Sequence, residues 1–238
     1  MGSTRLPGKM LADLNGKPLL GHLLDRLLQC KTLEKIVVAT TKELVDKQIK
    51  TYCDTREVLC YQGPSQDVLL RLKSAFVENR ADIGVVVYGD GPIIDPDIVD
   101  YAVNLYKSKI EIDLVCNDLK TSFPPGMEVE VLNVKALCKA DKLCSDLSIR
   151  EHGTLFVRQN PELFRIFNFE AEGSLRKPNL SLEVDVAEDL ELLTRISKHF
   201  HNRSSYSLRE IIEYIEENNL QKLNEHIVRR WEKYRTDD

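Results

Sequence analysis

Apolar residues recur along this chain with two periods. Leu19, Leu20, Leu23, Leu24, Leu27 and Leu28 fall at helical spacing, which predicts an amphipathic helix from Pro18 to Gln29 with the proline in its first turn. Short apolar runs at Lys35 to Thr40, Glu57 to Tyr61, Ile83 to Tyr88 and Ile112 to Cys116 read as strands. Helical patterns separate them, at Glu43 to Tyr52, Asp67 to Asn79 and Pro96 to Tyr106. The run Ile83 to Tyr88 is apolar throughout, the pattern of a central strand covered on both faces. Met127 to Val134 alternates, with Val129 and Val131 on one side and Glu128 and Glu130 on the other, so it reads as a strand with some solvent contact. Val134 to Leu143 and Glu188 to Phe200 read as helices, with the short strand Leu182 to Val184 before the second. Ser207 and Glu210 form a capping box ahead of an apolar face of Leu208, Ile211, Ile212 and Ile215, and Leu220 to Tyr234 reads as a final helix.

Alternating strands and helices predict an α/β layered fold with a mostly parallel sheet. Such sheets bind ligands beyond the carboxyl ends of their strands, which places the loops after Thr40, Tyr61 and Tyr88 on one rim. The polar stretch His201 to Ser205 is the natural linker, dividing a main domain of residues 1–203 from a helical appendage of residues 204–238.

Composition narrows the function. A net charge of −5 gives no electrostatic support for general nucleic-acid binding. No apolar run approaches the ~20 residues that cross a bilayer, and no secretory signal region opens the chain. The six cysteines form no CxxC pair, which argues against a zinc site and for reduced thiols in a cytoplasmic protein.

Two segments stand out chemically. Gly2-Ser3-Thr4-Arg5-Leu6-Pro7-Gly8-Lys9 packs glycines, hydroxyls and two cations into a turn whose backbone can approach a phosphate. Arg5 suits a forked grip on phosphate oxygens and Lys9 a point charge. The segment is not a Walker A loop, because Met10 follows the lysine. The second segment, Gly89-Asp90-Gly91-Pro92, follows the most apolar strand. An aspartate between glycines at a strand's carboxyl end suits Mg²⁺, which bridges one or two carboxylates to substrate phosphates. Asp95, before Pro96, is better read as a helix cap. Asp185 is either a helix cap or a second metal ligand on the same rim.

The loop Gly2 to Lys9 resembles the signature loop of cytidylyltransferases that activate acidic sugars, such as CMP-KDO and CMP-sialic acid synthetases, and most of all their spore coat polysaccharide biosynthesis (SpsF) branch. Gly63 to Arg71, Gly89 to Pro96, Pro125 to Val131, Arg150-Glu151-His152 and Val184-Asp185 with Glu188-Asp189-Leu190 resemble that branch in the same order. The resemblance implies a Rossmann-like, GT-A-like nucleotidyltransferase sandwich and a CTP-dependent transfer of CMP to a sugar hydroxyl with release of pyrophosphate. It implies that Gly2, Ser3, Thr4, Arg5 and Lys9 bind the triphosphate, that Asp90 and Asp185 hold Mg²⁺, and that Asp67 lies near the base. Glu128, Arg150, Glu151 and His152 would face the acceptor sugar, although His152 alone reads equally as a surface histidine. It also favours a homodimer. A nucleotidyltransferase using another NTP or a sugar phosphate, or an inactive nucleotide-binding relative, are the alternatives.

The family has a strand and an arginine ahead of the glycine loop, so the natural protein is expected to begin several residues before Met1. It also has an arginine four residues before the second aspartate, where Ser181 stands; Arg176 and Lys177 are the candidates to replace it.

Overall fold

The computed structural model describes residues 6–203 and 205–229. The chain opens with a single 3-10 turn, Lys9–Leu11, and then forms α1 (Leu19–Leu27), β1 (Val37–Thr41), α2 (Lys47–Thr55), β2 (Leu59–Gly63), α3 (Val68–Glu78), β3 (Ile83–Val87) and α4 (Pro96–Ser108). It continues with β4 (Leu114–Cys116), β5 (Val129–Asn133), α5 (Val134–Leu143), α6 (Leu147–Arg150), α7 (Leu155–Gln159), β6 (Ile166–Asn168), α8 (Ala187–Phe200) and α9 (Leu208–Glu217). Local chemistry sets several helix starts. Asp67 caps α3 by accepting from the Leu70 amide, Asp95 caps α4 from the Asp97 amide, and Asn133 caps α5 from the Lys135 amide. The expected capping box is formed at α9, where Ser207 and Glu210 exchange hydrogen bonds.

The α/β class is as expected, but the pairing is more mixed than mostly parallel. β1 and β2 form a parallel two-stranded sheet. The other four strands run in the order β3-β5-β4-β6. β5 is inserted antiparallel between β3 and β4, while β4 and β6 are parallel. Among the described residues β3 therefore stands at an end of its sheet rather than at the centre, and Ile83 at its start is 39% exposed. No ladder joins the two sheets among the described residues.

Helices cover both faces of the four-stranded sheet. On one side Val115, Val129 and Val131 pack with Val99 and Val103 of α4, Leu192 and Ile196 of α8, and Leu208, Ile211 and Ile215 of α9. On the other, Val86, Leu114 and Leu132 meet Leu69 of α3, Leu137 of α5 and Val157 of α7. A smaller cluster of Leu20, Leu24, Ile49 and Cys53 packs against the two-stranded sheet. The apolar face of α9 thus packs in the same cluster as the sheet. Truncating any of its fully buried isoleucines to alanine would cost about 2–5 kcal/mol.

Three further expectations need correction. Leu182 to Val184 forms no strand: the chain bends at Glu183, and the segment is held by two backbone bonds, Leu182 N–H to the Pro125 carbonyl and Val184 N–H to the Asp90 carbonyl. Glu130 has no solvent contact, because α7 and the residues before it close over that face of β5. The last segment is a 3-10 turn at Leu220–Leu223 rather than a helix through its described part, because Asn219 turns the chain with a left-handed φ of 53°.

Candidate active site

β3 ends at Val87 and hands the chain to Tyr88-Gly89-Asp90-Gly91. Two other segments are laid beside this turn. An alanine-type Cβ on Gly91 would sit 2.4 Å from the Gly126 carbonyl oxygen, and one on Gly126 would sit 2.7 Å from the backbone of Leu182. Gly126 also has a φ of 100°, which side chains of L-residues rarely adopt. Glycine at both positions lets three stretches of backbone stack: residues 90–91, 125–126 and 182–184. The Pro125–Leu182 and Asp90–Val184 bonds tie the stack together.

That stacking brings Asp90 and Asp185 to one point. The Lys9 ammonium lies 3.1 Å from Asp90 Oδ2 and 3.4 Å from Asp185 Oδ1, and it donates to the Val184 carbonyl at 2.8 Å. A lysine amine has three protons, and here each has an acceptor. Lys9 itself is placed by its 3-10 turn, which follows Gly8 in a left-handed conformation. Among the described residues no group of three or more His, Cys, Asp or Glu side chains is arranged to hold a metal. Two convergent carboxylates nonetheless fit Mg²⁺, which commonly takes one or two from the protein and fills its remaining positions with water and phosphate oxygens. Asp90 and Asp185 would hold it.

Glu128 adjoins the same stack, accepting from the Gly126 amide at 2.8 Å. Burial and then the charge of Glu183 push its carboxyl up to about 8, so it is largely protonated at neutral pH. Beside it lies a polar group that the sequence did not flag. Arg158 of α7 pairs with Asp118 at 2.8 Å and approaches Glu130 at 3.6 Å, while the Thr154 hydroxyl donates to Glu130 at 2.8 Å. Burial, then the charge of Asp118, raises the Glu130 carboxyl. The only sequence signal for this group was Glu130 itself, an acidic residue in an otherwise apolar strand.

The remaining site expectations divide. Gly2, Ser3, Thr4 and Arg5 lie outside the described residues. Asp67 and Arg150, expected beside the base and the acceptor respectively, pair with each other: Arg150 Nε donates to Asp67 Oδ2 at 2.9 Å and Nη2 to Asp141 at 2.6 Å. Neither makes a polar contact with Lys9, Asp90 or Asp185. Glu151 and His152 are exposed in the turn after α6. Arg176 pairs with Glu170 and Lys177 with Glu216, and Ser181 is itself 5% exposed.

A family model described as cytidylyltransferase matches residues 1–228. The chain belongs to the cytidylyltransferase family. It is 32% identical over 217 residues to an uncharacterized protein of Methanocaldococcus jannaschii, covering 91% of this chain and 87% of that one. It is 27% identical to the spore coat polysaccharide biosynthesis protein SpsF of Bacillus subtilis, over 92% of this chain and 91% of the relative. A solved cytidylyltransferase from Leptospira borgpetersenii superposes with a TM-score of 0.89 at 31% identity, covering 96% of this chain and 95% of that one. CMP-2-keto-3-deoxy-manno-octonic acid synthetase, solved with CTP, shares the fold at a TM-score of 0.63 and 17% identity, covering 83% and 95% of the two chains. The cytidylyltransferase described here is thus a nucleotidyltransferase with a Rossmann-like fold. No described helix is long and apolar enough to cross a membrane.

Proposed function

We propose that this cytidylyltransferase transfers CMP from CTP to a hydroxyl of an acidic or otherwise modified sugar used in surface polysaccharide, releasing pyrophosphate. The observation that carries the reading is the convergence of Asp90 and Asp185 on Lys9, at the end of β3 in a chain of this family. The acceptor oxygen would attack the α-phosphorus while the bond to the pyrophosphate oxygen breaks. Such transfers need mainly alignment and neutralisation of phosphate charge. Mg²⁺, when bound, supplies much of that neutralisation. Lys9 holds the two carboxylates in register and offers its positive charge to the phosphates, and Arg5 offers a second cation. The stacked glycine backbones keep the carboxylates from drifting apart. The surface-polysaccharide role is supported by the likeness to the spore coat polysaccharide biosynthesis protein SpsF of Bacillus subtilis, and the use of CTP by the nucleotide in the solved synthetase.

The test is pyrophosphate release with each of the four NTPs, Mg²⁺ and a panel of keto-acid and modified sugars. Release with CTP and one sugar class is expected, with loss in Asp90→Asn. Turnover only with another NTP, or full turnover in Asp90→Asn, would overturn the reading.

A further inference from the structure

The described end of the chain returns to the site. Arg229 is 3% exposed and grips Asp189 with both arms of its guanidinium, Nη1 to Oδ2 at 2.9 Å and Nη2 to Oδ1 at 2.6 Å. Asn224 adds a bond from its amide nitrogen to Asp189 Oδ1 at 2.8 Å. Asp189 has no exposed surface, and its Oδ2 also accepts from the backbone N–H groups of Asp185 and Val186 at 2.9 and 3.0 Å. One buried carboxylate is therefore shared between Arg229 and the peptide that carries Asp185. Arg229 keeps its charge against burial through Asp189, and through the nearby charges of Glu183 and Asp185.

We propose that Arg229 is a positioning residue for the metal site: by holding the Asp189 carboxylate in place, it orients the Asp185 backbone so that the Asp185 carboxylate faces Asp90. This rests on the metal role given above to Asp185. The geometry separates it from simple anchoring of the tail. An anchor could grip any surface of the core, whereas this one closes on the acceptor oxygen that holds the Asp185 and Val186 amides. Bidentate charge-assisted bonds fix direction as well as distance, and a fully buried pair leaves little slack. The arrangement also places the buried Arg229 cation near the Asp185 charge.

Calorimetry measures the affinity for CTP twice, with Mn²⁺ and with EDTA; the ratio of the two isolates the metal's contribution to binding without any turnover. In the wild type the ratio is expected to be well above one, and Asp185→Asn is expected to collapse it. Arg229→Met is expected to lower the ratio at least fivefold while leaving the metal-free affinity unchanged, and Arg229→Lys to fall between the two. Because the methionine variant loses a buried pair, folding of each variant is checked by circular dichroism, and Arg229→Lys carries the test if Arg229→Met does not fold. A wild-type ratio in every folded Arg229 variant, with Asp185→Asn still losing it, overturns the positioning role and leaves the metal site standing. A wild-type ratio of one, unchanged in Asp185→Asn, overturns the metal site and this inference with it.

Discussion

Asp67 serves two elements at once: one carboxylate oxygen caps α3 and the other receives Arg150 from α6, 83 positions away. Arg150 is 8% exposed and also reaches Asp141, which in turn pairs with Lys73 of α3 at 2.8 Å. Four charged groups thus clamp α3, α5 and α6 together. Arg150→Met is expected to destabilise the fold by about 2–3 kcal/mol, the scale of charge-assisted bonds lost from a partly buried site. Denaturant unfolding checks it. An unchanged midpoint with a raised KM for the sugar would instead place Arg150 at the acceptor.

Lys9 joins three segments through one ammonium. Lys9→Met removes the ammonium that lies between Asp90 and Asp185. Turnover is expected to fall by about 10²-fold or more, the scale for removing one preorganised electrostatic contact. Steady-state kinetics at saturating CTP measures this, and a fall confined to KM would contradict it.

Gly91→Ala forces a methyl group to within 2.4 Å of the Gly126 carbonyl oxygen, and neither backbone can swing aside like a side chain. The stack under Asp90 and Val184 must open. A loss of several °C in melting temperature is expected, together with loss of CTP turnover, since a change of 1 kcal/mol moves Tm by roughly 2–4 °C in a chain of this size. Differential scanning calorimetry beside the activity assay tests both halves.

Glu128 gives a pH signature. Its carboxyl lies near 8 in the folded protein against an ordinary value of 4.5, so between these values the folded state retains a proton that the unfolded state has released. Stability from this group is fully present below about pH 4.5 and is lost progressively as pH rises through 8. Glu128→Gln, which stays neutral and still accepts from the Gly126 amide, is expected to flatten that decline. Melting curves from pH 5 to 9 read it directly: the variant should gain on the wild type toward pH 9, and parallel curves would contradict the assignment.

The chemistry at the rim was legible because its residues interrupt strong patterns. Asp90 breaks an apolar run between two glycines, and Asp185 ends another apolar run. Lys9 closes a loop dense in glycine and cations. What escaped were partnerships across long separations. Arg158 and Arg229 sit in polar stretches where an arginine reads as surface, and only the folded chain places them against Glu130 and Asp189. Nothing in the spacing of Asp67 and Arg150 says that they meet. The short elements β6, α6 and α7 carry too few residues to show a period, and the antiparallel insertion of β5 depends on pairing that alternation alone does not specify.

The grip of Arg229 on Asp189 also sets an order of events during synthesis. The ribosome releases every rim residue from Lys9 to Asp185 before it releases Arg229, so a nascent or clipped chain ending short of Asn224 would fold around a buried aspartate lacking its guanidinium. Such a carboxylate is costly to enclose, and the arm bearing Asp185 would stay loose until translation had passed that arginine. Fragments of this transferase ending before Arg229 would therefore carry Asp90 and Asp185 without the arginine that closes on Asp189.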